Sequence, residues 1–301
     1  MTILSVRHLT TYRYARPVSF GPHRILFRPR DSNDQRLIRS SLRISPEPED
    51  VRWIHDVFGN DIAVARFSRK GEQLTFECEI ELDHTPWEGT EFGIDDTARI
   101  WPFTYGEDVL PDLEPVMRRH YADDGEVDAW AKKFRPLDGE KVETGHLLMT
   151  LNTAIGESLR YLRRTDPGTQ TPQKTLSTMQ GTCRDFALLM IETARALGFA
   201  ARFVTGYLYA PSRDTPERRG GGATHAWVQI FLPGAGWVEF DPTNGIVGNR
   251  DLIRVGVARD PSQAKPLSGR FSGARADYLG MTVDVTVTRG DLSDIASEAA
   301  E

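Results

Sequence analysis

The chain has 301 residues and a formal charge of -6 at neutral pH, with 39% hydrophobic and 27% charged side chains, the proportions of a globular protein able to bury one large core or two smaller ones. No Lys/Arg-dense tract offsets the negative charge, which argues against nucleic acid as a partner, because binding to phosphates needs a basic footprint. The most apolar windows, FALLM and WVQIFL, fall far short of the ~20 residues that span a bilayer, so no membrane-crossing helix is expected.

The first residues, MTILSVRHLTTYRYARPV, lack a basic start followed by an unbroken apolar stretch, and Arg7 and His8 fall where a secretory signal is hydrophobic. This stretch is expected to be a strand in a cytoplasmic protein. Up to about residue 100 the pattern is short runs of alternation, in SVRHLTTYRY, HRILFRP, LIRSSLRIS, IAVARFS and LTFECEIEL, separated by Pro, Gly, Asn and Asp clusters. Such a pattern predicts an antiparallel β domain over 1–100. FGND (58–61) supplies the positive-φ tolerance of a hairpin turn. Cys78 shares one face with Phe76 and Ile80 and is expected in the core. Two cysteines, Cys78 and Cys183, are too few for a disulfide framework, so both are expected as thiols.

Beyond residue 100, Pro and acidic residues in WPFTYGEDVLPDLEPVMRRHYADDG suggest a linker with short helices, and EVDAWAKKF has helical spacing. A second domain over 101–301 follows, with a helical linker at its start and a strand at its C-terminal end. Between about 142 and 164, Leu147, Leu151, Ile155, Leu159 and Leu162 form one helical stripe. The polar stretch TDPGTQTPQKT reads as a loop. A second helix runs from Cys183 to Leu197, with Phe186, Ala187, Met190, Ala194 and Leu197 at spacings of three and four and Gly198 as its C′ residue. ARFVTGYLY is a strand, PSRDTPERRGGGAT a Gly-rich loop, and HAWVQIFLPGAGWVEFDPT a hairpin turning at PGAG. MTVDVTVT offers one further strand, and DLSDIASEAA is a polar end.

The candidate site starts from QGTCRDFALLM (180–190). Thr182 and Asp185 fit a capping box, which makes Cys183 the first helical residue. There the helix dipole and unpaired N–H groups favour thiolate and can hold an oxyanion. In the hairpin, Ala226, Val228 and Ile230 share one face and His225, Trp227 and Gln229 the other, while Trp237, Glu239 and Asp241 oppose Val238 and Phe240. Pairing apolar with apolar puts His225 and Asp241 on one face. A seven-residue connection sets them directly opposite, and a five-residue one offsets them by one pair. Cys183, His225 and Asp241 thereby fill the roles of nucleophile, base and orienter. Asp185 is expected to cap the helix, Gln180 is a weaker candidate as oxyanion donor, and Trp227 and Trp237 are candidates to wall a groove.

The segments GTCRDFALLMIETARALGFAARFVTGYLY and HAWVQIFLPGAGWVEFDPTNG closely resemble the transglutaminase-like core of bacterial proteins, in the superfamily with a papain-like fold. RHLTTYRYARPV, HRILFRPR and DVFGN are similar to the β-rich N-terminal domain that accompanies this core, and RVGVARD to the segment that follows it. The resemblance implies an α+β protein in which a Cys-bearing helix packs on an antiparallel sheet. It also implies Cys183 as nucleophile, His225 as base and Asp241 as orienter.

The expected function is thiol-dependent acyl transfer from a peptide or glutamine carboxamide, through a thioester resolved by water or an amine, with a peptide or protein as substrate. The alternative is a transglutaminase-like binding or assembly module without turnover. A metal site built on the same Cys, His and Asp has only three ligands and no close second Cys or His, so no metal or cofactor is expected. Nor is there an acidic loop with EF-hand spacing to call for calcium.

Overall fold

The structure, a computed structural model, describes residues 2–86, 93–122, 125–137, 140–162, 168–209 and 223–290. The N-terminal half is built on β1 (Thr2–Phe20), β2 (His23–Ile25), β3 (Gln35–Ser45), β4 (Asp50–His55), β5 (Asp61–Arg66) and β6 (Lys70–His84). All pairings among them are antiparallel, as the alternation requires. β6 lies between β1 and β3, while β5 lies between β2 and β4 in a second sheet. Leu4, Val6, Leu74, Phe76, Ile80 and Leu82 of the first sheet share a core with Ile25, Ala63 and Ala65 of the second. Cys78 sits in that core, where burial pushes its thiol up to about 12. β4 escaped the alternation reading because it is an edge strand whose side chains are nearly all exposed, leaving no burial pattern to detect.

Five helices follow among the described residues: α1 (Leu110–Met117), α2 (Glu126–Lys132), α3 (Thr144–Ser158), α4 (Pro172–Thr178) and α5 (Cys183–Ala196). α3 ends earlier than its apolar stripe suggests. Leu159 is buried, but Arg160–Tyr161 leave the helix to pair in parallel with Gln180–Gly181, and Leu162 is exposed. α4 occupies part of the stretch read as a loop. Its start carries a sequence signal, since Thr171 accepts the Lys174 N–H at 3.2 Å and Pro172 follows at the first helical position.

α5 is buried on every side rather than along one stripe. Phe186, Leu189 and Met190 pack with Ala226, Val228 and Ile230 of the sheet. On the opposite side the Glu192 carboxylate, fully buried, accepts from Arg195 Nη1 at 2.8 Å, Arg119 Nε at 2.9 Å and the His120 N–H. The segment before α2 thereby covers the polar side of α5 and pairs its charges, as buried charges require. Gly198, with φ of +91°, ends the helix in the left-handed conformation expected of a C′ glycine.

The core sheet contains β7 (Ala201–Leu208), β8 (His225–Leu232), β9 (Gly236–Asp241) and β10 (Leu252–Ala258), in the order β9, β8, β7, β10, with Ile246–Val247 beyond β9. The Gly-rich loop read at 211–224 lies almost wholly outside the described residues, as does the polar end after 290. On the sheet face away from α5, Trp227 packs with Val204, Leu208, Leu252 and Val257, and Phe58 of the β4–β5 turn is laid against them. The adjacent Asn60 is buried, and its side-chain amide mimics a peptide group. It donates to Val257 O at 2.7 Å and accepts from Val257 N at 2.9 Å.

The last strand, β11 (Tyr278–Gly290), corrects the reading that joined it to the C-terminal core. It pairs antiparallel with β1, from Ile3↔Gly290 to Arg13↔Gly280, and so belongs to the N-terminal sheet. Leu267–Ser268 and Phe271–Ser272 likewise pair with β2 and β1. Alternation identifies a strand but carries no information about its partner, which lies nearly the whole chain away. Among the described residues no helix is long and apolar enough to cross a membrane.

Candidate active site

The first turn of α5 is fixed by its own acid. Asp185 is fully buried, and its Oδ2 accepts from the Thr182 N–H at 2.8 Å and from the Thr182 hydroxyl at 2.9 Å. Its Oδ1 accepts from the Gln170 N–H at 2.6 Å. The reach-back half of the expected capping box is therefore present. The backbone N–H groups of Asp185 and Phe186 both donate to Thr182 O, at 3.0 Å each. No such bond is made by the N–H groups of Cys183 and Arg184 among the described residues, as at any helix start. Cys183 occupies the first helical position with 7% of its surface exposed.

The hairpin realises the offset form of the expected pairing. Leu232 pairs with Gly236 and Val228 with Phe240, across a turn of Pro233, Gly234 and Ala235. This register leaves His225 and Asp241 on one face, displaced by one pair along the strands. His225 Nε2 donates to Asp241 Oδ2 at 2.8 Å, and both side chains are completely buried. The other ring nitrogen, Nδ1, is buried without a hydrogen-bond partner, and the Cys183 side chain lies close enough to interact electrostatically with the ring.

Burial opposes the charged imidazolium, but the Asp241 carboxylate and then the Cys183 side chain more than offset it, raising His225 to about 10. Burial also opposes the charged Asp241. The imidazolium, the Asn244 amide and the Thr243 N–H together hold that carboxyl below its ordinary range. The arrangement is an ion pair kept charged by mutual attraction and by fixed donors.

Asn244 was missed in the sequence. Its Nδ2 donates to Asp241 Oδ2 at 2.8 Å and lies 3.4 Å from His225 Nε2, while the Thr243 N–H donates to Asp241 Oδ1 at 2.9 Å. The signal was available in DPTNG, where a turn folds an Asn side chain back toward an Asp three residues earlier. α3 supports the same turn. Asn152 Nδ2 donates to Ile246 O at 3.2 Å, and a Cβ on Gly156 would come within 2.7 Å of Pro242 O, a close approach that only glycine permits.

The two tryptophans do not wall a groove at the thiol. Trp227 is fully buried and stacks on His225 at 5.9 Å and 27°. Trp237 lies beyond Glu239 toward the hairpin turn, beneath the Arg202 guanidinium at 3.9 Å. Gln180 engages through its backbone carbonyl, which accepts from Gln170 Nε2 at 3.0 Å.

Residues 4–83 match the bacterial transglutaminase-like N-terminal region, and residues 132–242, which hold Cys183, His225 and Asp241, match the transglutaminase-like superfamily. The chain belongs to the bacterial transglutaminase-like proteins. An uncharacterized protein of Mycobacterium tuberculosis is 28% identical over 304 residues, covering 95% of this chain and 93% of that one. Another, from Mycobacterium leprae, is 25% identical over 295 residues, covering 94% and 98%. A crystal structure from Cytophaga hutchinsonii, of a proposed cysteine protease, superposes with a TM-score of 0.67 at 19% identity over 97% of this chain and 92% of that one. Both halves of the chain therefore share the fold of that structure.

Proposed function

We propose that this protein is a thiol-dependent acyl-transfer enzyme that opens amide bonds of a peptide or of a glutamine side chain. The observation that carries the reading is the buried His225–Asp241 pair, whose remaining ring nitrogen has no hydrogen-bond partner and whose charge is coupled to Cys183 at a helix N-terminus. Membership of the transglutaminase-like superfamily supports a cysteine-based enzyme in general.

In the proposed cycle His225 already holds the Cys183 proton on Nδ1, so the resting site is a thiolate beside an imidazolium that Asp241 stabilises. The sulfur attacks the carbonyl carbon, and the Cys183 and Arg184 N–H groups receive the oxyanion. Collapse of the tetrahedral adduct breaks the C–N bond, and the imidazolium gives its proton to the departing amine. A thioester remains on Cys183. Water then yields an acid, or an amine yields a new amide, with His225 accepting the attacking group's proton and keeping it as the thiolate departs.

The test is acyl trapping. Protein is incubated with a panel of glutamine-containing and unmodified peptides, quenched in acid and analysed by intact mass. A thioester adduct that maps to Cys183, and is absent from Cys183→Ala and His225→Ala, is the expected result. If no adduct forms and the same peptides bind equally well to wild type and Cys183→Ala, the chain is a binding module.

A further inference from the structure

A second concave site lies outside the core sheet and α5. Where the start of β11 pairs with β1, at Tyr14↔Tyr278, a cavity of about 210 Å³ is lined by Tyr12, Tyr14, His23, Arg270, Phe271 and Tyr278. That space holds about seven waters, the room needed by one six-membered sugar ring with its hydroxyls. Nothing in the reaction proposed above uses it.

Its walls are flat and aromatic. Tyr14 lies 4.9 Å from Phe271 and 6.0 Å from Tyr278, and the Phe271 and Tyr278 rings are nearly parallel, at 6.3 Å and 23°. Tyr14 and His23 are buried, whereas Tyr278 is 42% exposed. A Cβ at Gly269 would strike the His23 ring, and one at Gly21 would come within 2.8 Å of Arg270 Cγ, so two glycines admit the polar side chains that edge the cavity. Those polar groups are left over by the fold. The phenols of Tyr12, Tyr14 and Tyr278 sit close enough to interact electrostatically, yet none of their hydroxyls has a hydrogen-bond partner among the described residues, nor does the Arg270 guanidinium. His23 Nδ1 donates to Gly21 O at 2.8 Å, and its Nε2 is unengaged among the described residues.

The ligand class follows from what these groups do together, and it depends on no titration. A phenol is neutral at neutral pH and both donates and accepts. His23 Nε2 bonds a hydroxyl in either protonation state, as acceptor when bare and as donor when protonated, while Arg270 only donates. A sugar ring uses all of them: its C–H faces pack on aromatic rings, and the hydroxyls around its edge donate or accept as each partner requires. An organic cation needs the ring faces but not the hydroxyls, and it would lie beside the Arg270 charge in a lining that contains no carboxylate. A small anion pairs with Arg270 and leaves the aromatic walls unused.

We propose that the cavity between β1, β2 and the start of β11 binds one sugar unit of a glycan, packed against Tyr278 and Phe271 and hydrogen-bonded by Tyr12, Tyr14 and Arg270. The site is separate from the thiol chemistry, so its failure leaves the proposed reaction untouched. The experiment is saturation-transfer NMR on the full chain with cellohexaose, xylohexaose, maltohexaose and chitohexaose, with tetramethylammonium chloride and sodium benzoate as controls. Saturable binding of at least one oligosaccharide is expected, with transfer strongest to its ring C–H protons. Tyr278→Ala is expected to weaken it at least tenfold, Tyr278→Trp to restore it, and Cys183→Ala to leave it unchanged. Hydrogen exchange on the wild-type protein gives a second readout that no variant's folding can obscure, with the bound oligosaccharide slowing exchange at residues 269–271 and 278–280. Absence of binding by all four oligosaccharides, equally tight binding of tetramethylammonium or benzoate, undiminished binding in Tyr278→Ala, or protection only elsewhere in the chain overturns the proposal.

Discussion

Replacing Gly156 by alanine tests how tightly the site depends on a helix that contributes no side chain to the proposed chemistry. In an exposed helix the change gains up to about 1 kcal/mol, because alanine is the better helix former. Here the new Cβ would sit 2.7 Å from Pro242 O, about 0.7 Å inside the 3.4 Å at which ordinary contacts begin. The obstructing atom is backbone and cannot rotate away. Overpacking of this kind costs about 1–3 kcal/mol, so a net destabilisation of up to about 2 kcal/mol is expected. Pro242 directly follows Asp241, so the displacement passes to the carboxylate that holds His225. Misplacement of a reacting group by about 1 Å costs on the order of 100-fold in rate. Alkylation of Cys183 is therefore expected to slow at least 10-fold, measured with iodoacetamide at mildly acidic pH, while a melting scan shows a folded protein with slightly lowered Tm. A variant more stable than wild type that labels at the wild-type rate would refute this coupling between α3 and the site.

Asp241→Asn is expected to destabilise the fold by about 3–5 kcal/mol at neutral pH, the usual cost of removing one partner from a buried ion pair. His225 is raised in the folded protein, so its stabilisation is complete below its ordinary value of 6.5 and fades as pH rises through about 10. Asp241 is lowered, so its stabilisation is present above 3.8 and fades as pH falls below it. The Tm difference between variant and wild type is accordingly expected to be widest between these limits and to shrink at both extremes; a pH-independent difference would exclude the ion pair. Asn60→Ala strips both bonds to the Val257 backbone and leaves two buried groups unpaired. A loss of about 2–4 kcal/mol in denaturant unfolding is expected, with Cys183 alkylation in the folded protein unchanged.

The parts of this architecture legible in the sequence are those set by local rules. A capping acid three residues beyond Thr182 places Cys183 at the helix start, and strand parity with a short turn brings His225 and Asp241 to one face. Partnership was not legible. MTVDVTVT announces a strand, yet its pairing with β1 joins the two ends of the chain, and no local pattern encodes a partner so distant. Glu192 and Arg195 fall outside the apolar spacing that predicts α5, and only the fold shows Arg119, the His120 N–H and Arg195 gathered on the Glu192 carboxylate. Asn244 was overlooked because the hairpin reading stopped at Asp241 and its flanking DPT, whereas the turn that follows is what aims the Asn244 amide at that carboxylate. Leu162 continued the apolar spacing of α3 past the point where pairing of Arg160–Tyr161 with Gln180–Gly181 ends the helix.

The most direct test of the central claim is the rate at which iodoacetamide alkylates Cys183 in the native protein at mildly acidic pH. Coupled to His225, Cys183 is expected to label selectively and at least tenfold faster than the thiol of a short unstructured peptide, while Cys78, whose thiol is buried and pushed up to about 12, stays unmodified. His225→Ala is expected to slow the labelling to the rate of the peptide. A wild-type Cys183 that labels no faster than the peptide, or no differently in His225→Ala, contradicts the account.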